Sequence, residues 1–101
     1  MEPQDAYEGR ERYLFIDVRQ THEWAAGHVE GAVHIPLQEL PQRHTELDRA
    51  ATVVVTCQIG QRSALATAFL REKGYDAHNL EGGLELWSKT GLSLVSGQGD
   101  E

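Results

Sequence analysis

The chain has one cysteine, Cys57, and the six residues after it are Gln58-Ile59-Gly60-Gln61-Arg62-Ser63. Only the thiolate form of cysteine is a strong nucleophile, so a reactive cysteine needs surroundings that favour negative charge. This stretch can supply them. Gly60 permits a sharp turn, in which successive backbone N–H groups converge on one point. Arg62 adds positive charge within the same turn. A helix starting just after the loop would contribute its first amides and its dipole. These features predict a Cys57 thiol that ionises easily and needs no histidine base. A cysteine after a valine run also suits a small buried hydrophobe; the glycine, the arginine and the helix start favour the nucleophile.

The elements on either side are those such a site requires. Thr52-Val53-Val54-Val55-Thr56 is β-branched throughout and does not alternate, which predicts a central strand covered on both faces. Arg62 to Lys73 reads as a helix, with Ala64, Leu65, Ala68 and Phe69 as its apolar face and Gly74 just past its end. Cys57 then lies beyond the carboxyl end of a strand, where open parallel sheets bind ligands. Tyr13-Leu14-Phe15-Ile16 reads as a buried strand ended by Asp17-Val18-Arg19. A short helix follows from an N-cap at Thr21 to Ala26, with Gly27 as its stop. Ala32 to Ile35 is a short strand between Gly31 and Pro36. Leu37, Leu40, His44 and Leu47 predict a turn at 37–40 and a helix from about Pro41, where proline is tolerated. Ala77 to Leu80 is a weaker strand, and Gly82-Gly83 opens a helix through Leu84, Leu86 and Trp87 that ends at Gly91. Alternating strands and helices mean an α/β domain with a mostly parallel sheet. The domain is expected over 13–95, with a loosely ordered segment at 1–12 and a mobile polar tail at 96–101.

Composition narrows the partners. The 101 residues carry a net charge of −7, with 16 acidic against 9 basic residues. Nucleic acid and anionic membranes call for a cationic face, so neither is an expected partner. A single cysteine forms no internal disulfide, and no stretch has the length of a membrane span. Met1 to Asp5 lacks the basic and apolar regions of a secretory signal, so a cytoplasmic monomer is expected. The five histidines, His22, His28, His34, His44 and His78, are not spaced as metal ligands. Trp24 and Trp87 read as core anchors. Ile59, on a tight loop near the sulfur, would suit an apolar donor or a docking protein if exposed.

Cys57-x-x-Gly60-x-Arg62-Ser63 resembles the active-site signature of single rhodanese domains, a family of sulfurtransferases. Asp17-Val18-Arg19, Glu23-Trp24 and Gly27-His28-Val29-Glu30-Gly31-Ala32-Val33-His34-Ile35-Pro36 are similar to the family's entry motif. Gly74-Tyr75 and Glu81-Gly82-Gly83 through Trp87 resemble its C-terminal part. The resemblance covers residues 13–91. It implies a three-layer α/β domain with a mostly parallel five-stranded sheet flanked by helices on both faces. It also implies an enzyme that takes sulfane sulfur from a donor (thiosulfate, or a low-molecular-weight or protein persulfide) onto Cys57 and passes it to a thiol or other nucleophile. The backbone of Gln58, Ile59, Gly60, Gln61 and Arg62 would cradle the persulfide, with Asp17, Arg19 and Ser63 in support. No metal or organic cofactor is implied. Two departures stand out: only twelve polar residues precede Tyr13, where the family has a further strand and short helix, and positions 58 and 59 are uncharged, where loops suited to thiosulfate often carry cations. Similar loops occur in rhodanese domains fused to flavin-dependent CoA-disulfide reductases, so the partner could be an enzyme.

Two other readings compete. A cysteine phosphatase or arsenate reductase spaces its cysteine and arginine by five residues. Here four lie between Cys57 and Arg62, and Thr56 stands where those phosphatases usually place histidine. A non-catalytic or regulatory rhodanese-like binding module usually lacks the cysteine. Arg62 is expected both to shape the loop and to neutralise a carboxylate such as Asp17. Arg19 and Glu23 are spaced to pair if their helix starts early.

Overall fold

The computed structural model describes residues 1–97. Four strands form one parallel sheet: β1 (Tyr13–Asp17), β2 (Val33–His34), β3 (Thr52–Thr56) and β4 (Asp76–Asn79), in the spatial order β2-β1-β3-β4. The helices are α1 (Pro3–Glu8), α2 (Thr21–Ala26), α3 (Leu40–Arg43), α4 (Gln61–Glu72) and α5 (Gly83–Lys89). Single 3-10 turns, Leu37–Glu39 and His44–Glu46, flank α3. Among the described residues no helix is long and apolar enough to cross a membrane.

The valine run of β3 fills both faces of the sheet, as its lack of alternation predicts. Val53, Val54 and Val55 are all fully buried. Val53 and Val55 face one cluster with Ile16, Ile35, Leu40, Ala66 and Leu70. Val54 faces the other, with Ala6, Phe15, Leu84 and Trp87. Each such aliphatic side chain contributes about 1.5–3 kcal/mol by leaving water. The sheet is therefore sandwiched between α3 and α4 on one side and α1 and α5 on the other.

The structure corrects four expectations. The sheet has four strands, not five. Met1 alone extends it: its amine donates to Asn79 O (2.8 Å), and its carbonyl accepts from Glu81 N–H (2.9 Å). Pro3 then opens α1, and a proline at that position has no N–H to give to a ladder. Second, residues 3–8 are helical rather than loosely ordered, because Ala6 is buried against the α5 side of the core. Third, α2 is capped by Gln20, not Thr21, through a reciprocal box with Glu23. Fourth, α4 buries Ser63, Ala66, Thr67 and Leu70, while Ala64, Leu65 and Ala68 face water. Alanine and leucine occur all round this helix, so the apolar pattern does not choose its face. A small polar residue does: Ser63 meets Cys57 and Asn79, while the Thr67 hydroxyl donates to Ser63 O (2.7 Å) within the helix. Val95, the last residue of the expected domain, pairs with His28, and in the tail expected to be mobile Gly97 N–H donates to Ala25 O; residues 98–101 lie outside the described range.

Candidate active site

Cys57 is the first residue after β3, and three residues, Gln58 to Gly60, carry the chain from it to the start of α4. The turn closes through Gly60, whose φ of 98° lies in the left-handed region that favours glycine. It brings the Gly60 N–H to 3.1 Å and the Ser63 N–H to 3.3 Å from Cys57 Sγ, with the Ser63 hydroxyl at 3.2 Å. Of the backbone expected to cradle the sulfur, 58–62, Gly60 donates to it, and the second amide comes from Ser63 just beyond. The carbonyls of the loop are held elsewhere: Leu84 N–H donates to Cys57 O (2.8 Å) and Glu85 N–H to Gln58 O (2.9 Å). With its carbonyls tied to the first turn of α5, the loop presents amide hydrogens to the sulfur.

Cys57 is buried at the floor of this loop, while Gln58, Ile59 and Gln61 form an exposed rim. Burial alone pushes the thiol up. The Ser63 hydroxyl and the amides of Ser63, Gly60 and Ile59 pull it down, and the result lies below the ordinary thiol value. These amides act on the sulfur where bulk water cannot screen them, which strengthens their effect.

The charged residues sort into two pairs, neither of them the one expected. Arg62 does not meet Asp17. Its guanidinium forks onto Glu23, at 2.7 and 2.9 Å. Arg19 does not meet Glu23. It pairs with Asp17 (Nη2 to Oδ2, 2.7 Å), both side chains almost wholly buried. Arg19 also donates to Gly27 O (2.5 Å) and to Gln58 Oε1 (3.3 Å), so it ties the end of β1 to the loop after α2 and to the active-site rim. Breaking a buried pair of this kind typically costs about 3–5 kcal/mol, because the remaining charge is left without a partner. Asp17 and Arg19 are therefore structural supports. Among the described residues no three His, Cys, Asp or Glu side chains converge on a point that could hold a metal.

Asn79, at the end of β4, is the site residue that sequence reasoning missed. Its side chain accepts from the Ser63 hydroxyl at 2.5 Å and donates to Gly60 O at 3.2 Å. A polar residue closing the strand beside the one that leads into the cysteine was the available signal.

A family model described as "Rhodanese-like domain" matches residues 2–90. The chain belongs to the rhodanese-like family. A protein called "Sulfurtransferase" from Allochromatium vinosum is 36% identical over 90 residues, covering 88% of this chain and 84% of its own. "Thiosulfate sulfurtransferase GlpE" of Stutzerimonas stutzeri is 35% identical over 78 residues, covering 76% and 72%. Among solved structures, a rhodanese-related protein from Thermoplasma volcanium superposes with a TM-score of 0.92 at 33% identity, covering 94% of this chain and 95% of that one. The loop of this chain has a neutral rim, with the Arg62–Glu23 fork beside it.

That fork makes acid stability testable. Arg62 holds the Glu23 carboxyl down at about 2, from an ordinary 4.5. A lowered carboxyl pKa contributes stability that is complete above about 4.5 and disappears as pH falls through about 2. Arg62 is about a third exposed, so water screens the pair. Glu23→Gln is expected to cost about 1 kcal/mol at neutral pH, read as a fall in melting temperature of about 4–8 °C. The difference from the parent protein should shrink steadily as thermal melts are repeated from pH 4.5 down towards 2. A difference that stays constant across that range would mean the carboxylate charge is not what stabilises α2 and the loop.

Proposed function

We propose that this protein is a sulfurtransferase that carries sulfane sulfur as a persulfide on Cys57. The observation that carries this reading is the convergence of the Gly60 and Ser63 N–H groups and the Ser63 hydroxyl on one sulfur beyond the end of β3. The relatives called sulfurtransferases support it. In the first step the thiolate attacks the outer sulfur of the donor. The donor's bond to that sulfur breaks, and the donor remnant leaves with the electron pair. Cys57 then carries Sγ–S⁻, and the loop amides that stabilised the thiolate oppose the new charge in turn. A nucleophilic acceptor, a thiol for example, attacks the outer sulfur, and the Cys57 thiolate is returned. Every step moves a sulfur atom and an electron pair, so no redox partner enters.

The rim favours a persulfide donor over thiosulfate. Gln58, Ile59, Gly60 and Gln61 carry no charge, and the cations beside them are already paired, Arg62 with Glu23 and Arg19 with Asp17. The chain as a whole is anionic, which opposes a dianion. Ile59 is half exposed and offers apolar contact to the body of a low-molecular-weight or protein-borne persulfide. The phosphatase reading fares poorly by comparison, since an oxyanion would need the Arg62 fork that Glu23 occupies.

The test is to expose the full chain separately to thiosulfate, glutathione persulfide and a persulfidated cysteine desulfurase, and to read intact mass for one added sulfur. Addition is expected from the persulfides at least tenfold faster than from thiosulfate. Thiosulfate loading faster than either persulfide would overturn the donor preference. No addition from any donor would overturn the transfer function itself.

A further inference from the structure

Four groups about Cys57 form a closed hydrogen-bond problem with one proton too few. Gly60 O is only an acceptor, so the Asn79 atom facing it at 3.2 Å must be the Nδ2 donor. Asn79 therefore turns its Oδ1, also only an acceptor, to the Ser63 hydroxyl at 2.5 Å. The same hydroxyl lies 3.2 Å from Cys57 Sγ. A hydroxyl has a single proton to give.

With Cys57 as a neutral thiol every group is satisfied. The S–H donates to Ser63 Oγ, Ser63 donates to Asn79 Oδ1, and Asn79 Nδ2 donates to Gly60 O. With Cys57 as a thiolate, its proton lost to water, Sγ and Oδ1 are both pure acceptors facing one hydroxyl. One of them must forgo that proton, in a part-buried setting where an unmade hydrogen bond is costly, and Sγ is left with the Gly60 and Ser63 N–H groups. With an added sulfur the conflict ends. Sγ then bonds to carbon and sulfur, the charge sits on the outer atom, and the Ser63 proton can return to Asn79.

We propose that Asn79 is a positioning residue of this site: it competes with the Cys57 thiolate for the one Ser63 proton, and so favours the two sulfur states that do not need that proton, the thiol and the persulfide. The inference rests on Cys57 being the nucleophile. Asn79 acts through Ser63 and touches no substrate. By leaving the bare thiolate under-stabilised it also keeps the sulfur more nucleophilic, because nucleophilicity falls as a thiol becomes more acidic. The charged groups around the loop, Arg62 of α4 with Glu23 of α2 and Asp17 of β1 with Arg19 behind it, are left unchanged in the experiment below. The contacts of β4 and α5 with the loop are made by Asn79 and by the amides of Leu84 and Glu85.

The experiment follows iodoacetamide alkylation of Cys57 against pH in the full chain, which needs no sulfur donor. Asn79→Ala leaves the Ser63 proton to the thiolate. It is expected to alkylate about three- to tenfold faster than the parent protein on the acid limb of the profile. Asn79→Asp keeps an oxygen towards Ser63 and adds charge, so its acid limb should move the opposite way, to slower alkylation. Both variants lose the bond to Gly60 O, which Ala64 N–H still holds at 3.2 Å. A role confined to bracing the loop would thus move both in one direction, and that result would overturn the proposal. In a Ser63→Ala background the Asn79→Ala effect should vanish; its persistence there would also overturn it. Asn79→Asp is nearly isosteric, and if the alanine variant does not fold it decides alone. Intact sulfur uptake with unmoved alkylation profiles would remove the role of Asn79 and leave the transfer function standing; expected profiles with no sulfur uptake would do the reverse.

Discussion

Replacing Cys57 by serine is expected to abolish sulfur uptake and turnover while leaving the fold intact. Removing a catalytic nucleophile typically costs on the order of 10⁴-fold or more in rate. The reason here is specific to the site. The Gly60 and Ser63 amides and the Ser63 hydroxyl hold the thiol below its ordinary value. A serine hydroxyl starts far higher, and the same donors cannot bring it into range. Its oxygen can still accept from Gly60 and Ser63 in place of Sγ, so the loop keeps its bonds, and the melting temperature should change by only a few degrees. The measurements are intact mass after persulfide treatment and turnover with a thiol acceptor. One sulfur added to the variant at the parent rate would place the chemistry on another residue. A melting temperature lowered by tens of degrees would leave any loss of activity open to a trivial cause.

Much of this site was legible in the sequence because it depends on order along the chain. The β-branched run of β3, the glycine at position 60 and the helix of residues 61–72 fix where Cys57 lies and what surrounds it. What was not legible depends on which elements lie side by side. The partner of Arg62 is 39 residues away, on α2. Nothing in the spacing separates Glu23 from Asp17, and the choice follows from where α2 lands beyond the sheet. Asp17 was already taken by Arg19, two residues along, through a backbone and side-chain fork that a helical i,i+4 rule does not describe. Asn79 belongs to the same class: it reaches Ser63 only because β4 pairs with β3 in the register that sets Asn79 opposite Val55. The buried face of α4 escaped for another reason. The positions that touch the sheet include Ser63 and Thr67, chosen for hydrogen bonding at the site rather than for hydrophobicity. The missing fifth strand was foreshadowed by the short polar segment before Tyr13, but the presence there of a helix docked through Ala6 was not.

Gly83→Ala is expected to damage the site more than any other substitution outside the loop itself. A Cβ at Gly83 would lie 2.5 Å from Gln58 O and 2.6 Å from Cys57 O, both backbone atoms with no flexible side chain to move aside. Gly83 also has a φ of 62°, which strains any side-chain-bearing residue. The two effects fall on one contact. The carbonyls that would be struck are those held by Leu84 N–H and Glu85 N–H, and the second belongs to the peptide that carries the Ile59 N–H, one of the amides that lower the thiol. Relief of the clash must push the loop and α5 apart, lengthening both bonds and rotating the peptides that follow Cys57 and Gln58. A stability loss of about 2–4 kcal/mol is expected from combined overpacking and backbone strain. The thiol should at the same time become less acidic, since the amide ring is disturbed. Denaturant unfolding reads the first effect, and the pH profile of iodoacetamide alkylation reads the second. Gly91→Ala is the matched control. Its φ of 91° is also left-handed, yet its Cβ would meet nothing within 4 Å. It should lose stability from backbone strain without moving the alkylation profile. If both variants shift that profile equally, the α5 first turn is not what orients the loop, and the amides facing Cys57 must be held by α4 and by Asn79 of β4.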